Sequence, residues 1–173
     1  MKKLFALALA GLMLLSLAAC TPTGPVQKTS STMATTTKVN PEGVFYFQFN
    51  NQDLVPGTVF DGGWLPVPSS RYETGEQING AAAIMYVYEY LFITTYPSGE
   101  NEIIASIELN PDRAMTVATP EGLVLGASTA TVVDIYGEDC TKTDFAWTYR
   151  KGDTLLVLEI SEEAVTGIKL CIA

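Results

Sequence analysis

The stretch that decides the fold reads Ile103-Ile104-Ala105-Ser106-Ile107-Glu108-Leu109. The pattern directs Ile103, Ala105, Ile107 and Leu109 to one side and the three residues between them to the other. Because successive side chains of a β-strand point to opposite faces, this period of two predicts a strand with one face mostly buried.

Six further segments with similar patterns extend the prediction to seven strands. They are 44–49, 84–88, 91–96, 145–149, 154–160 and 165–170. The connections at Glu89-Tyr90, 97–101 and 151–153 are short enough for hairpins, which makes neighbouring strands antiparallel. One helix is predicted between Ser128, which can cap its start, and Gly137, which can end it in a left-handed turn.

The domain is also predicted to contain one unit twice. Leu54-Val55-Pro56-Gly57 corresponds to Leu123-Val124-Leu125-Gly126, and segment 104–109 corresponds to segment 165–170. The two units, at about 43–113 and 114–173, would each place a short helix or turn before a three-stranded antiparallel sheet. This is an α+β fold in which helices cover one face of the sheet. Chance similarity between two β-rich segments is the alternative.

The start of the chain resembles a bacterial lipoprotein signal. Met1-Lys2-Lys3 precedes a mostly apolar run that ends in Leu17-Ala18-Ala19-Cys20. We therefore expect residues 1–19 to be removed and Cys20 to carry lipid, which anchors the protein to a membrane on its extracytoplasmic side. An uncleaved transmembrane helix is the competing interpretation, but it needs about 20 apolar residues and a charged stop. Residues 20–40 are instead a Thr/Ser-rich linker, and residues 41–173 suit a single extracytoplasmic domain.

The charge and composition of the domain exclude several functions. From Pro41 onward there are six Lys/Arg against nineteen Asp/Glu, a formal charge of −13, which disfavours nucleic acid as a partner. The chain has no histidine, which excludes Ser-His-Asp and Cys-His catalysis and the usual zinc sites that contain histidine. The sequence predicts no cofactor and no metal site.

Two groups of residues are candidates for a site. Trp64, Tyr72, Tyr86 and Tyr88 could form an aromatic binding patch, although aromatic residues in strands more often pack in the core. Cys140 and Cys171 could form a disulfide outside the cytoplasm, with two reduced thiols as the alternative. The acidic pairs Glu138-Asp139 and Glu162-Glu163 lie next to turns and are interpreted as solvated surface.

Several segments resemble a family of uncharacterised lipoproteins from anaerobic Gram-positive bacteria, over most of residues 43–170. The segments are Tyr86-Val87-Tyr88, Thr95-Tyr96-Pro97, 119–128 (Thr-Pro-Glu-Gly-Leu-Val-Leu-Gly-Ala-Ser) and Ile135-Tyr136-Gly137. That family usually carries a Ser-Cys-Ala-Phe stretch where segment 80–85 stands here, so no role for its cysteine can be carried over.

A more distant resemblance rests on Gly126-Ala127-Ser128, the helix that follows and Tyr136-Gly137. These residues, together with the doubling, resemble the fold shared by β-lactamase inhibitor proteins and the small lipoprotein of the outer-membrane assembly machine. The resemblance implies a helix-plus-sheet unit that grips other proteins, and it implies no active site.

Three functions follow as expectations. The first is a non-catalytic module that binds a protein partner, as the anchor, the linker and the inhibitor-like resemblance suggest. The second is a structural accessory of the cell envelope. The third is a glycan-active hydrolase that uses paired carboxylates, which the excess of acidic residues alone suggests.

Overall fold

The computed structural model of the chain describes residues 43–173. The predicted leader (1–19), the predicted lipidation site Cys20 and the predicted linker (20–40) lie outside these residues. In the part of the chain that is described, no helix is long and apolar enough to cross a membrane.

An antiparallel sheet of eight strands forms the centre of the domain. Its strands are β3 (Ser70–Ile78), β4 (Ala81–Val87), β5 (Leu91–Ser98), β6 (Asn101–Leu109), β7 (Thr141–Lys142), β8 (Ala146–Lys151), β9 (Thr154–Ser161) and β10 (Ala164–Ile172). Their order across the sheet is β3-β4-β5-β6-β10-β9-β8-β7. A small second sheet pairs β1 (Phe47–Phe49) with β2 (Gln52–Leu54), and the helical elements are a 3₁₀ turn at Gly62–Trp64 and one α-helix, α1 (Thr129–Tyr136).

The predicted α+β fold of two tandem units, each a helix or turn followed by three strands, is wrong. β6 and β10 pair side by side, with Ile107 opposite Leu170, so the strands form one continuous sheet. This pairing removes two edges that separate three-stranded sheets would have left open. Only one α-helix is present among the described residues, because the glycines at 62 and 63 allow no more than a 3₁₀ turn there.

The predicted strands and helix agree with the structure better than the predicted arrangement of two tandem units does. All seven predicted strands are present in the structure, although β1 covers only the end of the predicted segment 44–49 and β4 begins earlier, at Ala81. The helix is confirmed: the Ser128 side chain accepts a hydrogen bond from the Thr131 backbone N–H, and Gly137 ends the helix with a φ of 82°. Three strands were missed, β2, β3 and β7, and the longest of them, β3, is almost entirely exposed.

A β-bulge changes the predicted faces of β6. Thr94 lies opposite Ser106 but Thr95 lies opposite Ile104, so Ala105 is an extra residue without a partner across the ladder. The extra residue shifts the alternation by one position, because two residues of the bulged strand then face one of its neighbour. The uninterrupted pattern predicted Ile103 on the same face as Ile107. In the structure Ile104 is on that face instead, and it is buried.

The two faces of the sheet differ in burial. One face carries the core, with Ile93, Ile107, Leu170 and Leu156 side by side across four strands and nearly inaccessible to solvent. Residues from the small sheet, α1 and the connecting loops join the same cluster, among them Phe47, Leu54, Leu123 and Val132. The opposite face, which we call the open face, carries the row Tyr72, Met85, Thr94, Ser106, Cys171, Leu155 and Arg150.

Two loop segments fasten the covering layer to the sheet. The backbone N–H of Gly57 donates to the carbonyl of Ile104 at 2.7 Å, and that of Gly126 donates to the carbonyl of Val165 at 2.8 Å. The backbone N–H of Phe45 donates to Oγ1 of the buried Thr154 at 2.7 Å, which fixes the first described residues on the β8–β9 turn. The layer that covers the core face is therefore hydrogen-bonded to the sheet at these three points.

Candidate functional site

One concave feature of residues 43–173 is an apolar groove beside the turn that joins β4 to β5. Its volume is about 550 Å³, within the range of pockets that bind ligands or side chains of a partner. The groove is lined by Phe49, Leu65, Pro66, Val67, Ser69, Val87, Tyr88, Glu89, Tyr90, Leu91, Asn110 and Arg113.

Backbone hydrogen bonds hold the walls of the groove in place. The turn is closed by the backbone N–H of Tyr88, which donates to the carbonyl of Leu91 at 2.9 Å. Asn110 then ties the next loop to the same turn, because its side-chain amide donates to the carbonyl of Glu89 and its backbone N–H to that of Tyr90. The turn and the loop after β6 are therefore held in place by hydrogen bonds within the protein, so this side of the groove is already formed without a ligand.

The floor and the rim of the groove differ in exposure. Leu65, Tyr88 and Leu91 are buried and form an apolar floor, whereas Val67 on the rim is 92% exposed and Tyr90 is 37% exposed. An isoleucine- or valine-sized side chain on a surface gains about 1.5–3 kcal/mol when it is fully buried. The rim therefore offers apolar area that a bound partner would cover.

Charge in the groove is balanced. Arg113 and Glu89 are its two charged lining residues, so the groove itself is neutral although the domain around it is strongly acidic. A single carboxylate offers no pair for acid–base hydrolysis, which uses two carboxyl groups flanking the scissile bond. The arrangement suits the binding of an apolar segment.

A second, shallower cleft lies between the end of β9 and the start of α1. Its volume is about 440 Å³, and its lining is Thr129, Asp144, Phe145, Trp147, Ile160, Ser161, Glu162 and Glu163. Phe145 is 78% exposed, and Nζ of Lys142 lies 3.9 Å from the centre of the Trp147 ring. Glu162 and Glu163 both have positive φ, at 52° and 61°, in the turn between β9 and β10. The cleft thus combines aromatic rings with three carboxylates.

A polar network spans the core face at the other end of the sheet. Nε of Arg71 donates to the Tyr86 hydroxyl at 2.9 Å, and that hydroxyl donates to Oε2 of Glu102 at 2.7 Å. Oγ1 of Thr95 donates to the same carboxylate oxygen at 3.0 Å, and Nη2 of Arg71 lies 3.2 Å from Oε1. Burial raises the pKa of Tyr86, so this tyrosine remains a neutral donor. The network ties β3, β4, β5 and β6 together.

The four aromatic residues predicted as a patch are not brought together. Tyr72 is on the open face, whereas Tyr86 is on the core face beside Phe60, with 4.8 Å between the ring centres. Trp64 packs against the core, and Tyr88 is buried, although it contributes to the floor of the groove. Tyr72 lies opposite Met85, and residues opposite each other share a face of the sheet. Because Met85 and Tyr86 are consecutive in β4, Tyr72 and Tyr86 are on opposite faces.

The structure also separates the two cysteines proposed for a disulfide, and both are free. Cys171 is on the open face beside Ser106 and Leu155. Cys140 packs against the core cluster on the other face. Burial raises the pKa of the Cys171 thiol, so that thiol is a weak nucleophile.

Sequence reasoning missed the main groove residues Val67 and Arg113. Val67 lies between Pro66 and Pro68, and this feature of the sequence could have indicated an exposed apolar residue. A valine between two prolines has little chance to join the interior of a strand or helix, because proline removes backbone donors on both sides. Arg113 has no comparable local signal, since its place in the groove depends on how the loop after β6 folds back.

Among residues 43–173, no group of three or more Cys, Asp or Glu side chains could hold a metal ion. Comparisons of the chain with protein-family models, curated proteins and solved structures found no match.

Proposed function

We propose that this protein is a non-catalytic protein-binding module, held by lipid on Cys20 at the extracytoplasmic side of a membrane. The observation that carries the proposal is the preformed apolar groove with Val67 and Tyr90 exposed on its rim. Exposed apolar area beside a rigid concave floor is typical of surfaces that bind partners.

The partner that fits best is an apolar segment of a basic protein. The groove is apolar and neutral, so it favours apolar side chains, while the acidic domain attracts positive charge over a longer range. Basic residues on both sides of an apolar segment would satisfy both features, and the attraction would weaken as salt is added.

The test is a binding measurement with two synthetic peptides. Both have the same apolar core, and the core is flanked by lysines in one peptide and by glutamates in the other. Titration calorimetry on the full chain should give tighter binding of the lysine-flanked peptide, with a preference that shrinks as salt rises. Equal affinity for the two peptides, or tighter binding of the glutamate-flanked one, would refute the proposed partner chemistry.

The anchor requires its own experiment. A bacterial host that expresses the full chain should incorporate labelled fatty acid into the wild-type protein and none into a Cys20→Ser variant. Equal labelling of both proteins, or no labelling of the wild type, would show that Cys20 does not carry the anchor.

The second cleft favours one alternative, a hydrolase that acts on glycans. Asp144, Glu162 and Glu163 line it together with Phe145 and Trp147, and aromatic rings beside carboxylates are a common arrangement for binding sugars. Release of reducing sugar from cell-wall glycan that is lost in both Glu162→Gln and Glu163→Gln would support the hydrolase. Release that persists in both variants, or that is never detected, would exclude it.

A further inference from the structure

β3 stands at one end of the main sheet, and among residues 43–173 no strand pairs with its outer edge, which we call the free edge. It pairs with β4 on one side only, and Ser70, Arg71, Tyr72 and Glu73 are all exposed. Pairing with β4 is regular from Ser70 to Glu73 and becomes irregular after Glu73, near Gly75. An edge of this kind presents backbone donors and acceptors to another strand.

The register of the sheet shows which backbone groups point outward. The Tyr88 N–H donates to Leu91 on β5, so Tyr88 and Tyr86 direct their backbone groups towards β5. Along an antiparallel strand, the backbone N–H and C=O groups of successive residues point alternately to the two neighbouring strands. Those of Val87 and Met85 therefore point towards β3. Ser70 lies opposite Val87 and Tyr72 opposite Met85, so the backbone N–H and C=O groups of Ser70 and Tyr72 point towards β4. Those of Arg71 and Glu73 therefore point to the free edge.

Among the antiparallel registers that place the regularly paired residues 70–73 of two copies opposite each other, one avoids like charges. When two β3 strands pair antiparallel, residues whose backbone groups point to the free edge must lie opposite each other, because they exchange the hydrogen bonds. In each strand these residues are Arg71 and Glu73. If Arg71 faced Arg71, or Glu73 faced Glu73, like charges would be adjacent, which destabilises a strand pair. With Tyr72 on the two-fold axis, Arg71 of each chain instead faces Glu73 of the other, and both lie on the core face. The two Tyr72 side chains, each 50% exposed, then meet on the open face.

The contacts already present leave room for this pairing. Arg71 uses Nε for Tyr86 and Nη2 for Glu102, and its side chain is half exposed, so its remaining nitrogen can reach a further carboxylate. Within residues 43–173 Glu73 has no salt bridge.

We propose that β3 pairs antiparallel with β3 of a second copy of this chain, with Tyr72 opposite Tyr72 and Arg71 opposite Glu73. The pairing makes one sheet continuous through both copies and is isologous, as expected for a two-fold dimer. A short edge contact buries less than the roughly 1,200 Å² of a stable interface, so the association is reversible and weak.

Cysteine crosslinking tests the register. The background is the full chain with Cys20, Cys140 and Cys171 replaced by serine, checked by circular dichroism. Tyr72→Cys should form a covalent dimer under mild oxidation, because facing residues of an antiparallel pair lie within disulfide range. Ser70→Cys and Thr74→Cys should each remain monomeric alone and crosslink when mixed, because Ser70 faces Thr74. Equal crosslinking at all three positions would overturn the register, and folded variants that never crosslink would overturn the dimer.

A charge substitution tests the reason for the register. Adding Glu73→Arg to Tyr72→Cys places arginines opposite each other and should lower the yield of dimer about tenfold. Glu76→Arg makes the same change of charge on the same strand but within the irregular segment between Glu73 and Gln77, where it faces no charged residue of the other copy, and it should leave the yield unchanged. Equal loss with both substitutions, or no loss with either, would contradict the proposed pairing.

Discussion

Tyr46 shows how a single buried group bears on stability. The residue is 2% exposed, and its hydroxyl finds no hydrogen-bond partner among the described residues. Burial, followed by the carboxylates of Asp53 and Glu121, raises the pKa of this phenol. A buried hydroxyl without a partner costs free energy, because its hydrogen bonds to water are lost and not replaced.

We expect Tyr46→Phe to raise the free energy of unfolding by about 1 kcal/mol, since it removes this hydroxyl and keeps the ring. Tyr149→Phe is the matched control: the Tyr149 hydroxyl donates to the Gly137 carbonyl at 2.9 Å, so its loss should destabilise by about 1 kcal/mol. Urea unfolding of both variants measures the difference. Equal destabilisation by both would show that Tyr46 has a partner after all, such as an ordered water.

Among the strands and the helix, the sequence predicted those elements that a local pattern of residues determines. Strands with a buried face were found because apolar residues alternate in them, and α1 was found from its Ser128 cap and Gly137 end. β3 was missed because both of its faces are exposed, so its composition carries no alternation. The bulge at Ala105 and the pairing of β6 with β10 depend on contacts between distant residues, which no local pattern shows.

The candidate site was predicted only in part for the same reason. Tyr88 was identified from its aromatic character and does line the groove, but it does so from the floor. Its predicted companion Tyr72 lies on the other face because β3, a strand without a sequence signal, sets its orientation. Arg113 comes from a loop whose path depends on the hydrogen bonds of Asn110 to the β4–β5 turn.

Two hairpin glycines provide a test of how the first described residues pack. Gly99 and Gly152 both have positive φ, but a Cβ at Gly152 would also clash with the carbonyl oxygen of Gly43, whereas nothing lies near Gly99. Gly99→Ala should therefore cost only the strain of a left-handed residue, about 1 kcal/mol. Gly152→Ala should cost clearly more in chemical unfolding. Equal costs would mean that Gly43 does not pack on the β8–β9 turn.

Buried tyrosines in several parts of the domain make its stability depend on pH. Burial raises the pKa of Tyr88, Tyr136 and Tyr149 in the folded protein. The unfolded chain therefore loses these protons first as the pH rises, and the stability they contribute is complete only below the ordinary tyrosine pKa of about 10.

We expect the urea midpoint to fall as the pH rises above about 10. Tyr136→Phe should make the fall shallower, because it removes one of the linked groups. A midpoint that stays constant or rises in this range would contradict the burial of these phenols.

We expect the groove beside the β4–β5 turn, rather than the second cleft, to bind the partner of this acidic domain. The most direct test compares the affinity of the lysine-flanked apolar peptide for the Val67→Asp and Phe145→Asp variants. Both substitutions place the same charge on an exposed apolar residue, one on the groove and one on the second cleft. We expect binding to weaken about tenfold or more with Val67→Asp and to change little with Phe145→Asp. Equal effects, or a loss with Phe145→Asp alone, would contradict the assignment of the groove.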